Sequence, residues 1–287
     1  MALAQARAVL QQCRKEFPEY QFELKNMKTT GDKVKAILHA GLGKGLFTKE
    51  LELALLSHEA HLAVHSLKDL PTDLPEGLIL GAVGKREDPR DVLITRTRMR
   101  LGDLRQGAIL GTSSTRRAAF LLDRRPDLNV VPIRGNVPTR IRRLAEHPEM
   151  DGIVLAAAGL IRLGYDFQEI NAVPLSFDEM LPCVGQAAIG IEIRADDPEM
   201  ADVCNKLNDP ITFACVSAER AFLKGMGGGC QMPVAAYAEA KDDQLHLRAV
   251  SFFSKPAGRG ELSGPIKNAG SLGQQLAAQL SNESAAK

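Results

Sequence analysis

The chain has 287 residues, which exceeds the size of one typical domain and predicts two or three. With 45% hydrophobic and 25% charged residues its composition is that of a globular protein, and no apolar run is long enough to predict a membrane span. Five cysteines without close spacing argue against a disulfide framework and a zinc site, and the start of the chain lacks the pattern of a secretory signal, so we expect a cytoplasmic protein.

Short apolar runs alternate with helical patterns along most of the chain. The runs predict strands at 21–29, 62–66, 78–84, 91–95, 108–114, 129–135, 151–159 and 187–194. Apolar residues at helical spacing predict helices at 46–59, 114–125 and 137–147. This order predicts an α/β fold with mostly parallel sheets.

The pattern changes near residue 211. From there the sequence predicts a helix, two strands and a C-terminal helix, at 212–226, 234–240, 244–253 and 271–282. A helix pair with a short hairpin predicts a small third domain of the α+β class.

Positive charge is concentrated between residues 90 and 162. This segment has fourteen arginines, no lysine and seven acidic residues, a net charge of +7, although the whole chain carries only +1. Lysine would serve solubility equally well, whereas the planar guanidinium binds carboxylate or phosphate through paired hydrogen bonds. The segment therefore predicts an anion-binding domain.

Polar residues follow the predicted strand at 62–66. His65, Ser66, Lys68 and Asp69 stand at its carboxyl end, the place where α/β sheets bind ligands. A neighbouring lysine and aspartate can be a surface pair of little consequence. The functional interpretation is a carboxylate whose charge is tuned by the adjacent cation.

A second polar cluster, "GTSSTRRAAF", joins a strand to a helix. Thr112, Ser113 and Ser114 are good N-cap residues. Arg116 and Arg117 in the first turn oppose the helix dipole, at a cost of some tenths of a kcal/mol each, unless an anion binds there. This arrangement favours an anion site over a purely structural cap.

A third cluster, "IRGNVPTRIRRL", repeats that design. Arg134 and Arg140 flank a strand-to-helix turn in which Pro138 fits the first helical turn. Two such turns would direct arginines to one crevice. At this point phosphate, nucleic acid and polycarboxylate all remain possible ligands.

The Gly-rich stretch "GLGKGLFTKE" is not a phosphate loop of the Walker type. That pattern requires Gly at position 38 and Ser or Thr at position 45, where this chain has Leu38 and Gly45. Lys44 is then either a mobile anion contact or part of a simple turn.

Three consecutive glycines precede a cysteine in "KGMGGGCQMP". Taken locally, Cys230 is either a functional thiol with cleared surroundings or an ordinary thiol beside a flexible linker.

Together the motifs carry a family resemblance. The chain resembles porphobilinogen deaminases over nearly its whole length, in the order and spacing of "HSLKDLPT", "GTSSTRRAAF", "IRGNVPTRIRRL", "LAAAGLIRLG", "GQAAIGIEIR" and "GGGCQMPVAAYA". The resemblance implies two α/β lobes similar to periplasmic binding proteins and a small α+β domain. The implied bounds are 1–84 with 184–207 for domain 1, 85–183 for domain 2 and 208–287 for domain 3.

The resemblance also implies the chemistry. Cys230 would hold a dipyrromethane cofactor through a thioether, and Asp69 would be the catalytic carboxylate. Four porphobilinogen molecules would be condensed head to tail with loss of ammonia, and hydroxymethylbilane released by hydrolysis. Side chains matching the family's cofactor contacts are Ser66, Lys68, Thr112, Ser114, Arg116, Arg117 and Arg140, and those matching its substrate contacts are Gln5, Lys44, Arg134, Arg140 and Gln186. We expect a monomer with no metal, nucleic acid or membrane partner.

The N-terminus departs from the family pattern. The sequence begins within an Arg-x-Ser-x-Leu-Ala segment that normally follows a first strand, and His39 and Ala40 stand where the family has Ser/Ala-Lys. We therefore expect weak substrate binding and a less stable first domain, both improved by restoring that segment. The alternative function is an impaired or non-catalytic binder of anionic ligands.

Overall fold

The computed structural model describes residues 1–27, 48–229 and 232–285, with side chains to residue 281. Its helices are α1 (Ala2–Glu16), α2 (Lys49–Leu56), α3 (Thr115–Arg124), α4 (Val137–Glu146), α5 (Ala157–Ile161), α6 (Pro198–Leu207), α7 (Pro210–Gly225) and α8 (Ala269–Ala285). Its strands are β1 (Leu62–Ser66), β2 (Leu78–Val83), β3 (Asp91–Thr95), β4 (Ile109–Gly111), β5 (Asn129–Val131), β6 (Gly152–Ala156), β7 (Ala172–Pro174), β8 (Ile189–Arg194), β9 (Val234–Lys241), β10 (Gln244–Ser251) and β11 (Gly258–Pro265).

The first sheet has the order β1-β8-β2, with β8 antiparallel to both neighbours. Ile191 and Ile193 of β8 are buried in one cluster with Val9 of α1 and Val203 of α6. Since side chains alternate along a strand, Gly190 and Glu192 of β8 face the other side of the sheet.

The second sheet has the order β5-β4-β6-β3-β7. β4 is parallel to β5 and β6, whereas β3 is antiparallel to β6 and β7. β3 is buried throughout because the sheet core lies on both of its faces. The third sheet is an antiparallel meander, β9-β10-β11, whose core includes Phe222 of α7 and Leu276 of α8.

These three sheets match the predicted two α/β lobes and small α+β unit, but the prediction of mostly parallel sheets is wrong. Among the described residues, the strand pairs of the first sheet are all antiparallel, and the second sheet is mixed. β3 enters the second sheet directly from the first lobe, and β8 returns to the first, so neither follows the crossover helix that makes neighbouring strands parallel.

The predicted strand at 21–29 is also wrong over its described part, 21–27, which forms no strand. Alternating apolar residues suggested it, but a strand also needs a ladder partner, and the first sheet provides none among the described residues. Phe22 instead packs against Phe17 and Tyr20, with ring centroids 6.4 and 5.9 Å away.

A buried ion pair ties the lobes to the third unit. Arg86 donates to Glu219 of α7 over 2.5 and 3.1 Å, and Glu219 also accepts from the backbone N–H groups of Gly185 and Ala238. The Glu219 carboxylate therefore joins the segment before β3, through Arg86, and the segment before β8, through Gly185, to strand β9, through Ala238.

Within the described residues, no helix is both long and apolar enough to cross a bilayer.

Candidate active site

A cleft of about 1050 Å³ lies where α1, β1 and the turn after it face the start of α4 and the α5 segment. Six predicted site residues line this cleft: Gln5, Ser66, Lys68, Asp69, Arg117 and Arg140. These residues lie far apart in the sequence, and the fold brings the separate motifs that contain them together around one cleft.

Asp69 stands on a braced turn at the end of β1. The turn, Leu67–Asp69, is a single 3₁₀ turn whose first residue is 1% exposed. Leu67 fits against Gly190, where a Cβ would lie 2.9 Å from its Cδ1 atom. Arg220 of α7 donates to the carbonyl oxygens of Leu70 and Pro71 over 3.1 and 2.6 Å. The turn is thus held from two sides while its polar side chains face the cleft.

The protein environment raises the pKa of Asp69. Its side chain is exposed on the cleft, where the surrounding walls reduce the solvation of the carboxylate, and this desolvation is the largest cause. The neighbouring Lys68 and His65 act in the opposite direction and lower the pKa. A carboxyl group with a raised pKa can both give and take a proton nearer neutral pH.

Ser66 and Gln5 connect α1 to this turn. The hydroxyl of Ser66 donates to the Gln5 side-chain oxygen over 2.9 Å, and Gln5 is 3% exposed. The two predicted site residues, Gln5 and Ser66, are therefore hydrogen-bonded to each other.

The second cluster caps α3, as predicted. Ser114 is the N-cap and accepts from the backbone N–H of Arg117, while the Thr112 hydroxyl accepts from the N–H of Ser114 over 3.2 Å. Thr112 is 4% exposed and does not line the cleft.

Arg116 and Arg117 share one buried carboxylate, Asp91, which our sequence analysis missed. Arg116 donates to Asp91 over 2.7 Å, and Arg117 donates over 2.8 and 3.1 Å. Asp91 is fully buried, and burial alone would raise its pKa, but the two guanidinium groups lower the pKa to about 2. Two cations against one anion leave a net positive charge.

Gln186 belongs to the same buried network. Its amide donates to Asp91 over 3.0 Å and to the Pro89 carbonyl oxygen over 2.8 Å. Its own side-chain oxygen is buried without a partner among the described residues. Gln186 therefore helps to hold Asp91 and is not among the residues lining the cleft.

The third cluster begins α4, where Asn136 is the N-cap. Arg140 lines the cleft and donates to the Gly135 carbonyl oxygen over 2.7 Å. Desolvation lowers its pKa, and the nearby charge of Arg117 lowers it further. Two cations that repel each other across one cleft are a favourable place for an anion. Arg134 is exposed and does not line the cleft, and its carbonyl oxygen accepts from Arg143.

Two predicted site residues, Lys44 and Cys230, lie outside the described residues. The glycines before Cys230 are described, and all three have positive φ: 103° at Gly227, 66° at Gly228 and 128° at Gly229. Residues with a Cβ rarely adopt such conformations, so the approach to Cys230 requires glycine. Arg162 also lines the cleft, with its guanidinium donating to the Ala187 carbonyl oxygen, and was not among the predicted site residues.

Comparison with protein families gives two matches. Residues 1–202 match the family described as "Porphobilinogen deaminase, dipyromethane cofactor binding domain", and residues 213–282 match "Porphobilinogen deaminase, C-terminal domain".

Curated relatives extend over the full chain. The chain is 47% identical to the porphobilinogen deaminase of Carboxydothermus hydrogenoformans, covering 100% of this chain and 92% of that protein. It is 49% identical to the Desulforudis audaxviator enzyme of the same name, covering 98% and 91%. Identity to the Geobacillus kaustophilus enzyme is 44%, covering 99% and 92%.

Among solved structures, the chain is similar to the probable amino-acid ABC transporter extracellular-binding protein ytmK from Bacillus subtilis, with a TM-score of 0.44 and 15% identity over 71% of this chain and 79% of that one. It is also similar to the periplasmic VFT2 domain of Bordetella pertussis BvgS, with a TM-score of 0.41 and 18% identity over 70% and 75%.

Proposed function

The chain belongs to the porphobilinogen deaminase family, and we propose that Asp69 is its catalytic carboxylate and Cys230 the residue that carries its cofactor. The activity is the stepwise head-to-tail condensation of four porphobilinogen molecules with loss of ammonia, followed by hydrolytic release of hydroxymethylbilane. Nothing in the comparisons supports the alternative of an impaired, non-catalytic binder.

One observation carries the assignment of Asp69. A carboxyl group with a raised pKa stands on a braced turn in a cleft whose facing wall holds Arg117 and Arg140. Guanidinium groups can hold the substrate's carboxylates, and the single carboxyl group can then act on the reacting carbon and nitrogen.

The residues present fit a dipyrromethane, which carries acetate and propionate groups. Arg116 and Arg117 outnumber Asp91, and the Nε atom of Arg116 is buried without a partner among the described residues. An anionic ligand near these groups would balance their charge. We propose the following cofactor contacts: Ser66, Lys68, Thr112, Ser114, Arg116, Arg117 and Arg140.

When bound, the cofactor supplies the pyrrole carbon that attacks the activated substrate. Asp69 in its protonated form gives a proton to the substrate's aminomethyl nitrogen; the C–N bond then breaks, and ammonia leaves with the bonding electron pair. Its carboxylate then stabilises the methylene-pyrrole cation that remains. The same carboxylate takes the proton lost by the attacking carbon, so Asp69 regains its starting state.

We propose that Gln5, Lys44, Arg134, Arg140 and Gln186 contact the substrate; of the four described ones, Gln5 and Arg140 line the cleft, whereas Arg134 is exposed outside it and Gln186 is buried. The case is strongest for Arg140, because its charge lies in the cleft and is opposed by Arg117. A bound carboxylate would relieve that repulsion.

The organisation of the chain remains a proposal in two respects. The domain bounds are 1–84 with 184–207, then 85–183, then 208–287. The protein acts as a cytoplasmic monomer on a small-molecule substrate, without nucleic acid or membrane partners.

Replacing Asp69 with asparagine tests the proposed catalytic role. The Asp69→Asn variant should lose at least about 100-fold in turnover because it can neither give nor take the proton. Its melting temperature should stay near that of the parent, since the side chain faces the cleft. The matched control is Asp73→Asn, whose carboxylate forms an exposed pair with Lys224 at 2.5 Å. If Asp69→Asn keeps activity comparable to the control, Asp69 is not the catalytic residue.

A further inference from the structure

A buried hydrogen-bonded pair, His65 and Glu192, lies next to the turn that carries Asp69. The Nε2 atom of His65 on β1 is 2.9 Å from the Oε2 atom of Glu192 on β8, and the side chains are 4% and 0% exposed. His65 is paired with Gly190 in the ladder. Glu192, two positions further along β8, is its diagonal neighbour on the same face of the sheet.

A buried pair of this kind is weak evidence of a role in fold stability. Replacing a buried ion pair by apolar residues of similar volume is often neutral or stabilising. Here the second carboxylate oxygen of Glu192 is buried without a partner among the described residues. A carboxylate in the central strand of the first sheet, only half satisfied, adds no evident stability.

The imidazole connects this carboxylate to the catalytic turn. His65 lines the cleft, stands four residues before Asp69, and lowers the pKa of the Asp69 carboxyl group. Other charged or titratable groups face this region from neighbouring elements: Lys68 on the turn, Arg220 on α7, Arg194 on β8, and Cys183 in the segment between β7 and β8.

These neighbours are already engaged. Arg220 donates to three carbonyl oxygens after the turn, and Arg194 pairs with Asp197 and with two backbone carbonyl oxygens. Cys183 is a thiol whose pKa burial raises, so it adds no negative charge beside Asp69. Besides Lys68, His65 is the group that acts on Asp69 in favour of its ionised form.

We propose that His65 and Glu192 are positioning residues for the reaction, in which Glu192 fixes the orientation of the imidazole through its Nε2 atom, and the oriented imidazole sets the electrostatic surroundings of the Asp69 carboxyl group. This inference rests on the proposed role of Asp69. Neither residue touches the reacting atoms, so both act through Asp69.

The test is the pH profile of turnover, measured on the cofactor-loaded enzyme and three variants: His65→Gln, Glu192→Gln and the double variant. The alkaline limb of the profile reports ionisation of Asp69, because the reaction starts from its protonated form. Removing the imidazole takes away an influence that lowers the pKa of Asp69, so the midpoint of this limb should move to higher pH. Glu192→Gln should move it in the same direction.

The double variant covers the case in which a single variant fails to fold. His65→Gln leaves the buried Glu192 carboxylate without its partner, whereas two uncharged amides can hydrogen-bond to each other. The double variant should fold and show the same shift as His65→Gln, not the sum of both shifts. Ile193→Val is the control, since its side chain lies on the opposite face of β8; it should lower stability slightly without moving the profile.

Two outcomes would overturn the proposal. One is a loss of turnover by the same factor at every pH, which indicates a structural role. The other is an unchanged profile in the folded double variant. Asp69→Asn is assayed in parallel: if it retains turnover, the role of Asp69 itself fails, whereas an inactive Asp69→Asn with no shift in the other variants refutes only the positioning role.

Discussion

Removing the charge of Asp91 should destabilise the protein far more than a neighbouring surface change. Asp91→Asn keeps the size of the side chain but leaves Arg116 and Arg117, which are 4% and 6% exposed, without their shared anion. Breaking a buried pair from one side costs about 3–5 kcal/mol because the remaining charge stays buried.

The pKa of Asp91 gives a second magnitude. Its folded value of about 2 lies below the ordinary value of 3.8. A depression of that size corresponds to about 2–3 kcal/mol of stability. Since the folded pKa is lowered, this contribution is fully present above about pH 4 and is lost as the pH falls towards 2.

Thermal unfolding of the two proteins checks this. At about 3 kcal/mol, Asp91→Asn should lower the melting temperature by roughly 6–12 °C at neutral pH. The difference in melting temperature between the parent and Asp91→Asn should become smaller at lower pH, because protonation removes the charge of Asp91 in the parent. Asp88→Asn is the control, because Asp88 pairs with the half-exposed Arg90 at 2.7 Å, and such pairs contribute less than about 1 kcal/mol. If Asp91→Asn has the same melting temperature as Asp88→Asn, the buried carboxylate does not balance the two arginines and the reasoning is wrong.

Three further predictions concern the Arg86–Glu219 pair, the backbone at Ala187 and the cleft. Glu219→Gln should lower stability by about 3 kcal/mol, measured by thermal unfolding, since it leaves Arg86 buried and unpaired; an unchanged melting temperature would count against the interdomain pair. Ala187→Gly should raise stability by about 0.5–1 kcal/mol, because Ala187 has a φ of 72°; a lower melting temperature would contradict this. Arg140→Gln should raise the KM for porphobilinogen about tenfold, whereas the exposed Arg142→Gln should not; equal KM values would exclude Arg140 from substrate binding.

The strand and helix positions were largely readable from periodicity. The strand DVLIT occupies the range that its apolar run predicted, and α3 and α4 begin at the predicted Ser114 and Asn136 turns. Local chemistry decides such features: a buried apolar run forms a strand, and a side-chain oxygen caps a helix.

Strand pairing was less readable, because it depends on partners distant in sequence. The stretch at 21–27 alternates like a strand but has no ladder partner among the described residues. Conversely β11, with glycines at 258, 260 and 264, has poor strand propensity and was not predicted. Gly260 is needed there because α8 packs closely: a Cβ would lie 2.9 Å from Leu276.

The candidate site was predictable as a set of motifs but not as a network. Residue type and position suggested Asp69 and the arginines as site groups, and the structure places Asp69, Arg117 and Arg140 on one cleft. No local pattern indicated that Asp91, 25 residues before Arg116 in the chain, would hold both buried guanidinium groups. The His65–Glu192 pair spans 127 residues and was equally hidden.

The mass of the intact purified protein tests the central claim most directly. A porphobilinogen deaminase that carries its cofactor on Cys230 should be heavier than its sequence by the mass of one dipyrromethane, and Cys230→Ala should have the mass of the bare chain. After brief exposure to porphobilinogen, the protein should show further mass increases, each equal to one added substrate unit. An unmodified parent chain after incubation with porphobilinogen, or a Cys230→Ala variant that still carries the dipyrrole, would contradict the account.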